Sequence, residues 1–246
     1  MTRRRWIADE VSENTAALVG DHAAHLSRVL RAQVGQEFDI ATGDEIRRGT
    51  ITTISPDRVE FSLGNKLHRA LRSKSSHAPK ITLALAIFKF DRMEWALEKC
   101  TEIGVARIIP VIARRTDTHL ATAAVKRHER WLRIVRQAAE QSRQAAPPEI
   151  AAPVKLKDLT ADIISSESVT RVVLAESEEE TRLVDVLQSN SSEVALAIGP
   201  EGGWADAELS WFCEEGWSAA SLGNTILRAE TAAIVATALT LDALRC

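Results

Sequence analysis

The sequence predicts an α/β protein in two parts: a small β-barrel or sandwich, then a larger domain built on a parallel sheet. Three observations predict it. Up to about residue 63 the chain reads as short strands with tight turns, a polar stretch with chain breakers follows, and beyond it continuous apolar runs alternate with helical patterns. Strands of a parallel sheet, covered by helices on both faces, read as such unbroken runs.

In the first part Phe38-Asp39-Ile40 alternates, Thr42-Gly43-Asp44 can turn, and Val59, Phe61 and Leu63 share one face of a strand. One helix is expected over residues 22–32, where Leu26, Val29 and Leu30 recur at helical spacing and Gly35 follows the end, which leaves Arg28 and Arg31 on the other side. The stretch 65–80 carries charge and breakers without a period, so the boundary falls there, between a first domain of residues 1–72 and a second of 76–246. Strands are then expected at 81–88, 107–112, 171–175, 194–198 and 218–222, and helices at 92–103, 126–144, 181–189, 206–215 and 228–244. Within 126–144, Trp131, Ile134, Val135, Ala138 and Ala139 form an apolar stripe, with Arg133, Arg136 and Gln137 facing elsewhere.

Composition narrows the function. A chain of 246 residues, 45% hydrophobic and 26% charged, is an ordinary globular protein. Its net charge of -3 argues against indiscriminate coating of nucleic acid. The charge is uneven, however: residues 114–143 hold Arg114, Arg115, Lys126, Arg127, Arg130, Arg133, Arg136 and Arg143 against Asp117, Glu129 and Glu140, and acid gathers later at Glu176, Glu178, Glu179 and Glu180. The apolar runs are far shorter than the roughly 20 residues that cross a bilayer. The basic start, Arg3-Arg4-Arg5-Trp6, leads into Asp9 and Glu10 and not into a signal core, so a cytoplasmic protein is expected. Cys100, Cys213 and Cys246 lie far apart and form no redox or metal-ligand pair; neither a disulfide nor a metal is expected, and Cys100 reads as core.

Two stretches point to chemistry. Residues 194–203 run from a buried strand into the turn Gly199-Pro200-Glu201-Gly202-Gly203 and then a helix. Glycines there permit positive φ and let a ligand approach bare backbone, while the helix start offers free amide donors; the alternative is a tight strand-to-helix turn with no ligand. The turn is neither G-x-x-x-x-G-K-[ST] nor G-x-G-x-x-G and follows the fourth of five expected strands, which sets nucleotide hydrolysis and hydride transfer aside. The second stretch, residues 221–233, is another strand-to-helix junction, and loops beyond the carboxyl ends of neighbouring strands converge on one site in such sheets. Taken singly, Arg228 reads as a surface or ion-paired arginine, and Glu230 as a helix N-terminal acid favoured by the macrodipole.

The turn at residues 199–203 together with Leu222-Gly223, Ile226-Leu227-Arg228 and Glu230-Thr231-Ala232 resembles the ribosomal RNA small subunit methyltransferase E (RsmE) family. Further matches are His25-Leu26 with Val29-Leu30-Arg31, residues 89–104 with Lys99, Thr101-Glu102 and Gly104, residues 138–142, and Pro148-Glu149-Ile150. As an ordered set along the whole chain they are highly specific. The resemblance implies a PUA-like β-barrel, then a SPOUT-type parallel sheet with a C-terminal trefoil knot, acting as a homodimer that methylates N3 of a uridine in 16S ribosomal RNA or the small ribosomal subunit, with S-adenosyl-L-methionine as cofactor and no metal or membrane. On the matching positions, it implies cofactor contacts from Leu174, Gly199, Glu201, Gly202, Gly203, Leu222, Gly223, Ile226, Leu227 and Thr231.

The chain departs from the family pattern at three places. Ala205 stands where a Ser or Thr usually forms a capping box with Glu208; Arg143-Gln144 stands where Gly-Arg is usual; and Asn224-Thr225 replaces a Pro-basic pair. For the chemistry, Glu201 is the candidate base and Arg228 the candidate electrostatic partner, against a reading in which Glu201 fixes its loop and Arg228 braces the fold. RNA contacts are expected from Arg3, Arg4, Arg5, His25, Arg28, Arg31 and Arg143, although a charged helix face is usually only solvated and the arginine run can be a terminal tail. Trp6 reads as barrel core. Two rival readings are a ribose 2′-O-methyltransferase on the same fold and a non-catalytic RNA-binding or assembly protein.

Overall fold

The computed structural model describes residues 5–43, 45–69, 80–159, 169–187, 191 and 193–244. It divides into two compact units, one of residues 1–76 with 136–147, the other of 77–135 with 148–246. The boundary expected between residues 72 and 76 lies outside the described residues.

The first unit holds β1 (Arg5–Ile7), β2 (Glu10–Val11), β3 (Thr15–Val19), the short helix α1 (Asp21–Ala24), β4 (Glu37–Ala41), β5 (Glu45–Ile54) and β6 (Arg58–Arg69). The strands form one sheet in the order β1-β4-β5-β6-β3-β2, antiparallel except for β1 beside β4. Its core is Trp6, Leu18, Leu26, Ile40, Ile51, Val59, Phe61 and Leu63, so the shared face of β6 and the core place of Trp6 are as expected.

The helix expected over 22–32 differs. After α1 the chain widens into a π-helical turn, His25–Val29, where the Leu30 N–H reaches back to the His25 carbonyl at 3.0 Å. The extra residue per turn breaks the angular register on which the expectation rested. Leu26 is buried, but Val29 and Leu30 face solvent at 65% and 47% exposure.

Residues 136–147 group with this unit through an ion-pair cluster. Arg136 pairs with Asp9 at 2.6 Å, and the buried Glu140 accepts the Ile7 N–H at 3.3 Å. Burial pushes the Asp9 carboxyl up, but the His22 bond, the Val19 N–H and the Arg136 charge outweigh it and hold it below the usual carboxylate range.

The second unit runs β7 (Lys80–Ala86), α2 (Phe90–Ile103), β8 (Arg107–Ile112), α3 (Thr118–Gln141, counted with the first unit from Arg136 on), β9 (Glu149–Ile150), β10 (Val154–Lys155), β11 (Val169–Leu174), α4 (Leu183–Val186), β12 (Glu193–Ile198), α5 (Asp206–Glu214), β13 (Ser218–Ala220) and α6 (Ala229–Ala243). Every strand pair is parallel, in the order β10-β8-β7-β12-β11-β13 with β9 also on β8. Along β7, Ile81, Leu83 and Leu85 pack with α2, α6 and Trp131, whereas Ala84 and Ala86 face Trp204, Phe212 and Trp217. Helices therefore cover both faces, which is why the strands read as continuous apolar runs.

Two helices depart from expectation. α3 starts at Thr118, eight residues before Lys126, because the Asp117 side chain caps it by accepting the His119 N–H at 2.7 Å. α4 is one turn only, and Leu187 is already extended; residues 188–190 lie outside the described set. Cys100 is wholly buried under α6, and burial pushes its thiol up to about 12. No described helix is long and apolar enough to cross a membrane.

Candidate active site

The register of the sheet decides where the site lies. Leu85 sits opposite both Ile198 and Pro110, and Leu174 opposite Ala220, so β7, β8, β12, β11 and β13 reach their carboxyl ends along one edge. The segments that follow these five strands line one cleft of about 1010 Å³: Lys89 and Arg92 after β7, Arg115 after β8, residues 174–180 and Arg182 after β11, 198–204 with Asp206 and Leu209 after β12, and 220–229 with Ala232 after β13. An open α/β sheet binds its ligands at this edge.

The turn after β12 is built around its glycines. The Gly203 N–H donates to the Pro200 carbonyl at 2.8 Å with Gly203 at φ +68°, a conformation any larger residue adopts only with strain. At Gly199 a Cβ would stand 3.3 Å from Cδ1, Nε1 and the backbone N of Trp204, a ring already wedged edge-on against Phe212.

Side chains from neighbouring loops hold this turn. Arg115 Nη1 donates to the carbonyls of Gly202 at 2.7 Å and Trp204 at 3.1 Å. Glu208, 8% exposed, accepts the Arg114 N–H on Oε1 at 2.7 Å and the Ala205 N–H on Oε2 at 2.8 Å. Ala205 cannot supply the other half of a capping box, but the half that Glu208 makes is intact. Arg92 reaches Glu201 with Nη1 at 3.0 Å and lies 3.8 Å through Nε from the buried Glu230.

On the far side, the Leu183 N–H donates to Ser221 O and the Ser221 N–H to Thr181 O, each at 2.9 Å, which ties the loop after β11 to the loop after β13. Two backbone N–H groups, of Thr181 and Glu180, donate to the Glu178 carboxylate and hold it below its usual range. The cleft is thus acidic along 176–180 and basic at Lys89, Arg92, Arg115, Arg182 and Arg228.

Of the residues expected at the site, Leu174, Gly199, Glu201, Gly202, Gly203, Leu222, Gly223, Ile226, Leu227 and Arg228 all line this cleft. Thr231 does not. In α6, Ala229 and Ala232 share the face toward the cleft, and Thr231 lies about 100° round the helix from Ala232. Ile226 is 79% exposed. Sequence reasoning missed Lys89, Arg92 and Arg115; the signal was their place just beyond apolar strand runs, since the strand-end rule applies to every strand and not only to those ending in glycine.

The residues expected to meet RNA fall in the first unit. Arg28 and Arg31 are exposed, His25 stacks at a tilt 5.8 Å from Trp6, and Arg5 donates to the Arg143 carbonyl. Arg143 itself is exposed with φ +59°. Arg3 and Arg4 lie outside the described residues.

A parallel sheet with loops converging on one cleft belongs to a recognisable class: residues 75–241 match the RNA methyltransferase domain. Over 94% of this chain and 74% of the relative, the sequence is 31% identical to ribosomal RNA small subunit methyltransferase E of Synechocystis sp., and over 90% and 84% it is 32% identical to that of Mycobacterium bovis. A crystal structure of ribosomal RNA small subunit methyltransferase E from Neisseria gonorrhoeae bound to S-adenosyl methionine superposes with TM-score 0.80 at 28% identity, covering 96% of this chain and 95% of that one. A Legionella pneumophila protein solved with the cofactor SAM gives 0.86 at 28% identity, covering 99% and 98%. The chain belongs to the ribosomal RNA small subunit methyltransferase E family, and its fold is the SPOUT-type parallel sheet preceded by a PUA-like β-barrel.

Proposed function

We propose that this protein transfers a methyl group from S-adenosyl-L-methionine to N3 of a uridine in 16S ribosomal RNA. The observation that carries the reading is the meeting of five strand-end segments at one cleft that contains the glycine turn. The cleft suits that cofactor. Leu174, Leu222 and Leu227 offer apolar surface, Gly199, Gly202, Gly203 and Gly223 offer open backbone, and the acidic rim at 176–180 favours a cation. When bound, S-adenosyl-L-methionine supplies a methyl group already activated on a sulfonium. The trefoil knot implied by the resemblance is consistent with a strand order in which β13 lies beside β11 and not beside β12.

The chain's own residues have two tasks. They hold donor and acceptor in line, which lowers the barrier by removing the entropy of encounter. They also deal with the proton that uridine N3 carries at neutral pH: Glu201 accepts it, and Arg228 offsets the charge left on the base. Both side chains line the same cleft. In the first unit, Arg5, His25, Arg28, Arg31 and Arg143, with Arg3 and Arg4, serve as phosphate contacts, and each charge removed lowers the salt slope of RNA binding by about 1. A homodimer accounts for the exposed Trp95, Val125 and Leu132 on α2 and α3; light scattering after gel filtration tests it.

The decisive assay adds labelled S-adenosyl-L-methionine to small subunits from cells lacking this gene and identifies the methylated nucleoside. Label in 3-methyluridine of 16S RNA supports donor, acceptor and atom together. Label on a ribose 2′-oxygen reassigns the atom, and absence of cofactor binding removes the enzyme reading. Glu201→Gln abolishing the pH dependence of single-turnover methylation supports the base; an unchanged rate across pH removes it.

A further inference from the structure

Arg92 has no role in the reaction as proposed, yet it lines the cleft and stands between two carboxylates, one on the glycine turn and one in α6. Its Nη1 is 3.0 Å from Oε1 of Glu201 on the glycine turn, and its Nε 3.8 Å from Oε1 of Glu230 in the first turn of α6. We propose that Arg92 is a positioning residue: one guanidinium that couples Glu201 to Glu230 and so sets the spacing between the glycine turn and the start of α6, which follows the second loop of the cleft.

Glu230 is the more confined of the two carboxylates. It is 5% exposed, and its Oε2 is buried with no hydrogen-bond partner among the described residues. A carboxylate in that position is strongly disfavoured unless a cation accompanies it. Among the described residues Arg92 is the cation within 4 Å of it. The guanidinium fork is planar and presents Nε and Nη1 in different directions, so one rigid group addresses both acids, which the single ammonium of lysine does not reproduce. Arg92 is itself fixed, because it lies in the first turn of α2 and α2 packs on α6, where Thr237 Oγ1 donates to Cys100 Sγ at 3.6 Å. The α2–α6 frame therefore holds without Arg92, while Glu201, 38% exposed on its turn, depends on it for position. The consequence is directional: an indifferent surface ion pair would leave the cleft unchanged when cut, whereas a spacer between the glycine turn and α6 would not.

The inference rests on the reading that this cleft binds S-adenosyl-L-methionine, and its test separates the two. Arg92→Lys, Arg92→Gln, Glu201→Gln and the double variant Arg92→Gln with Glu201→Gln are compared by calorimetric cofactor binding, thermal midpoint, and amide exchange over residues 201–204 in the ligand-free protein. Losing a charge-assisted bond that orders the site is expected to weaken binding about tenfold in Arg92→Gln. Arg92→Lys should lose nearly as much, the double variant no more than Arg92→Gln, and ligand-free exchange at 201–204 should quicken severalfold. Full binding in Arg92→Lys, losses that multiply in the double variant, or unchanged exchange would each overturn the role. Should Arg92→Gln fold poorly, adding Glu230→Gln removes the unpaired buried charge; recovered stability with binding still weak supports positioning, and recovered binding refutes it. A parent protein that binds no cofactor refutes the functional reading alone, because the exchange measurement still reports on Arg92.

Discussion

Replacing Glu208 with alanine removes one carboxylate that satisfies two backbone donors, Arg114 N–H at 2.7 Å and Ala205 N–H at 2.8 Å. Bonds to a charged acceptor contribute about 1.5–3 kcal/mol each, and part of that sum is returned when the carboxylate, 8% exposed, no longer has to be desolvated. Both N–H groups are then left to water that reaches them only partly, so the net loss is about 2–4 kcal/mol. For a chain of this length, 3 kcal/mol lowers the thermal midpoint by about 6–12 °C. Glu208→Gln is the sharper variant: its amide oxygen serves one donor while its NH2 confronts the other, so about half the loss or more remains. Thermal unfolding followed by tryptophan fluorescence reads both, since Trp204, Trp211 and Trp217 surround Phe212 of α5. A Glu208→Gln protein that melts with the parent would refute the double acceptor, and with it the idea that one side chain joins the β8 end to the glycine turn.

Gly199→Ala places a methyl 3.3 Å from the backbone N of Trp204, which cannot retreat without moving the turn; a loss of about 1–3 kcal/mol with weaker cofactor binding is expected, and calorimetry showing neither refutes the close approach. Because Asp9 titrates below its unfolded value of about 3.9, it stabilises the first unit above that pH and ceases to as pH falls through its folded value. Asp9→Asn should therefore unfold more easily near neutrality yet lose less stability between about pH 5 and 3 than the parent, and parallel curves of stability against pH from urea unfolding would contradict this. Arg143→Gly relieves a left-handed backbone at φ +59° and should raise stability by about 0.5–1 kcal/mol in urea unfolding, an unchanged midpoint counting against strain there.

The parallel sheet was legible because burial on both faces writes itself as apolar runs: the strand expected at 107–112 is β8 to the residue, and 81–88 and 194–198 overlap β7 and β12 closely. Periodicity failed where the backbone left the regular helix. The π turn at His25–Val29 rotates Val29 and Leu30 outward, and no spacing rule at 3.6 residues detects an inserted residue. The early start of α3 was hidden by Thr118 and Thr122, weak helix formers, although Asp117 was a visible cap. At the site, glycines drew attention to two loops, and the arginines that brace the glycine turn, Arg92 from α2 and Arg115 from beyond β8, went unread because a lone arginine in sequence carries no mark of its partner.

The departures from the family pattern show what the fold tolerates. At Ala205 the missing hydroxyl costs one side of a capping box, and the Glu208 N–H that it would have accepted donates instead to the Ala205 carbonyl at 2.8 Å. At Arg143 a side chain occupies a left-handed position where the resemblance leads to the expectation of glycine, and the bond that Arg5 gives is to the Arg143 carbonyl, which any residue there would supply. In both places the backbone does the work, so the side chain is free to vary at a cost of about 1 kcal/mol. Asn224 and Thr225 are different. They are exposed on the rim of the cleft, where the family's basic residue would add charge beside Arg228. No backbone group replaces a side-chain charge, so on the proposed reading Asn224 and Thr225 add no phosphate contact of their own at this rim.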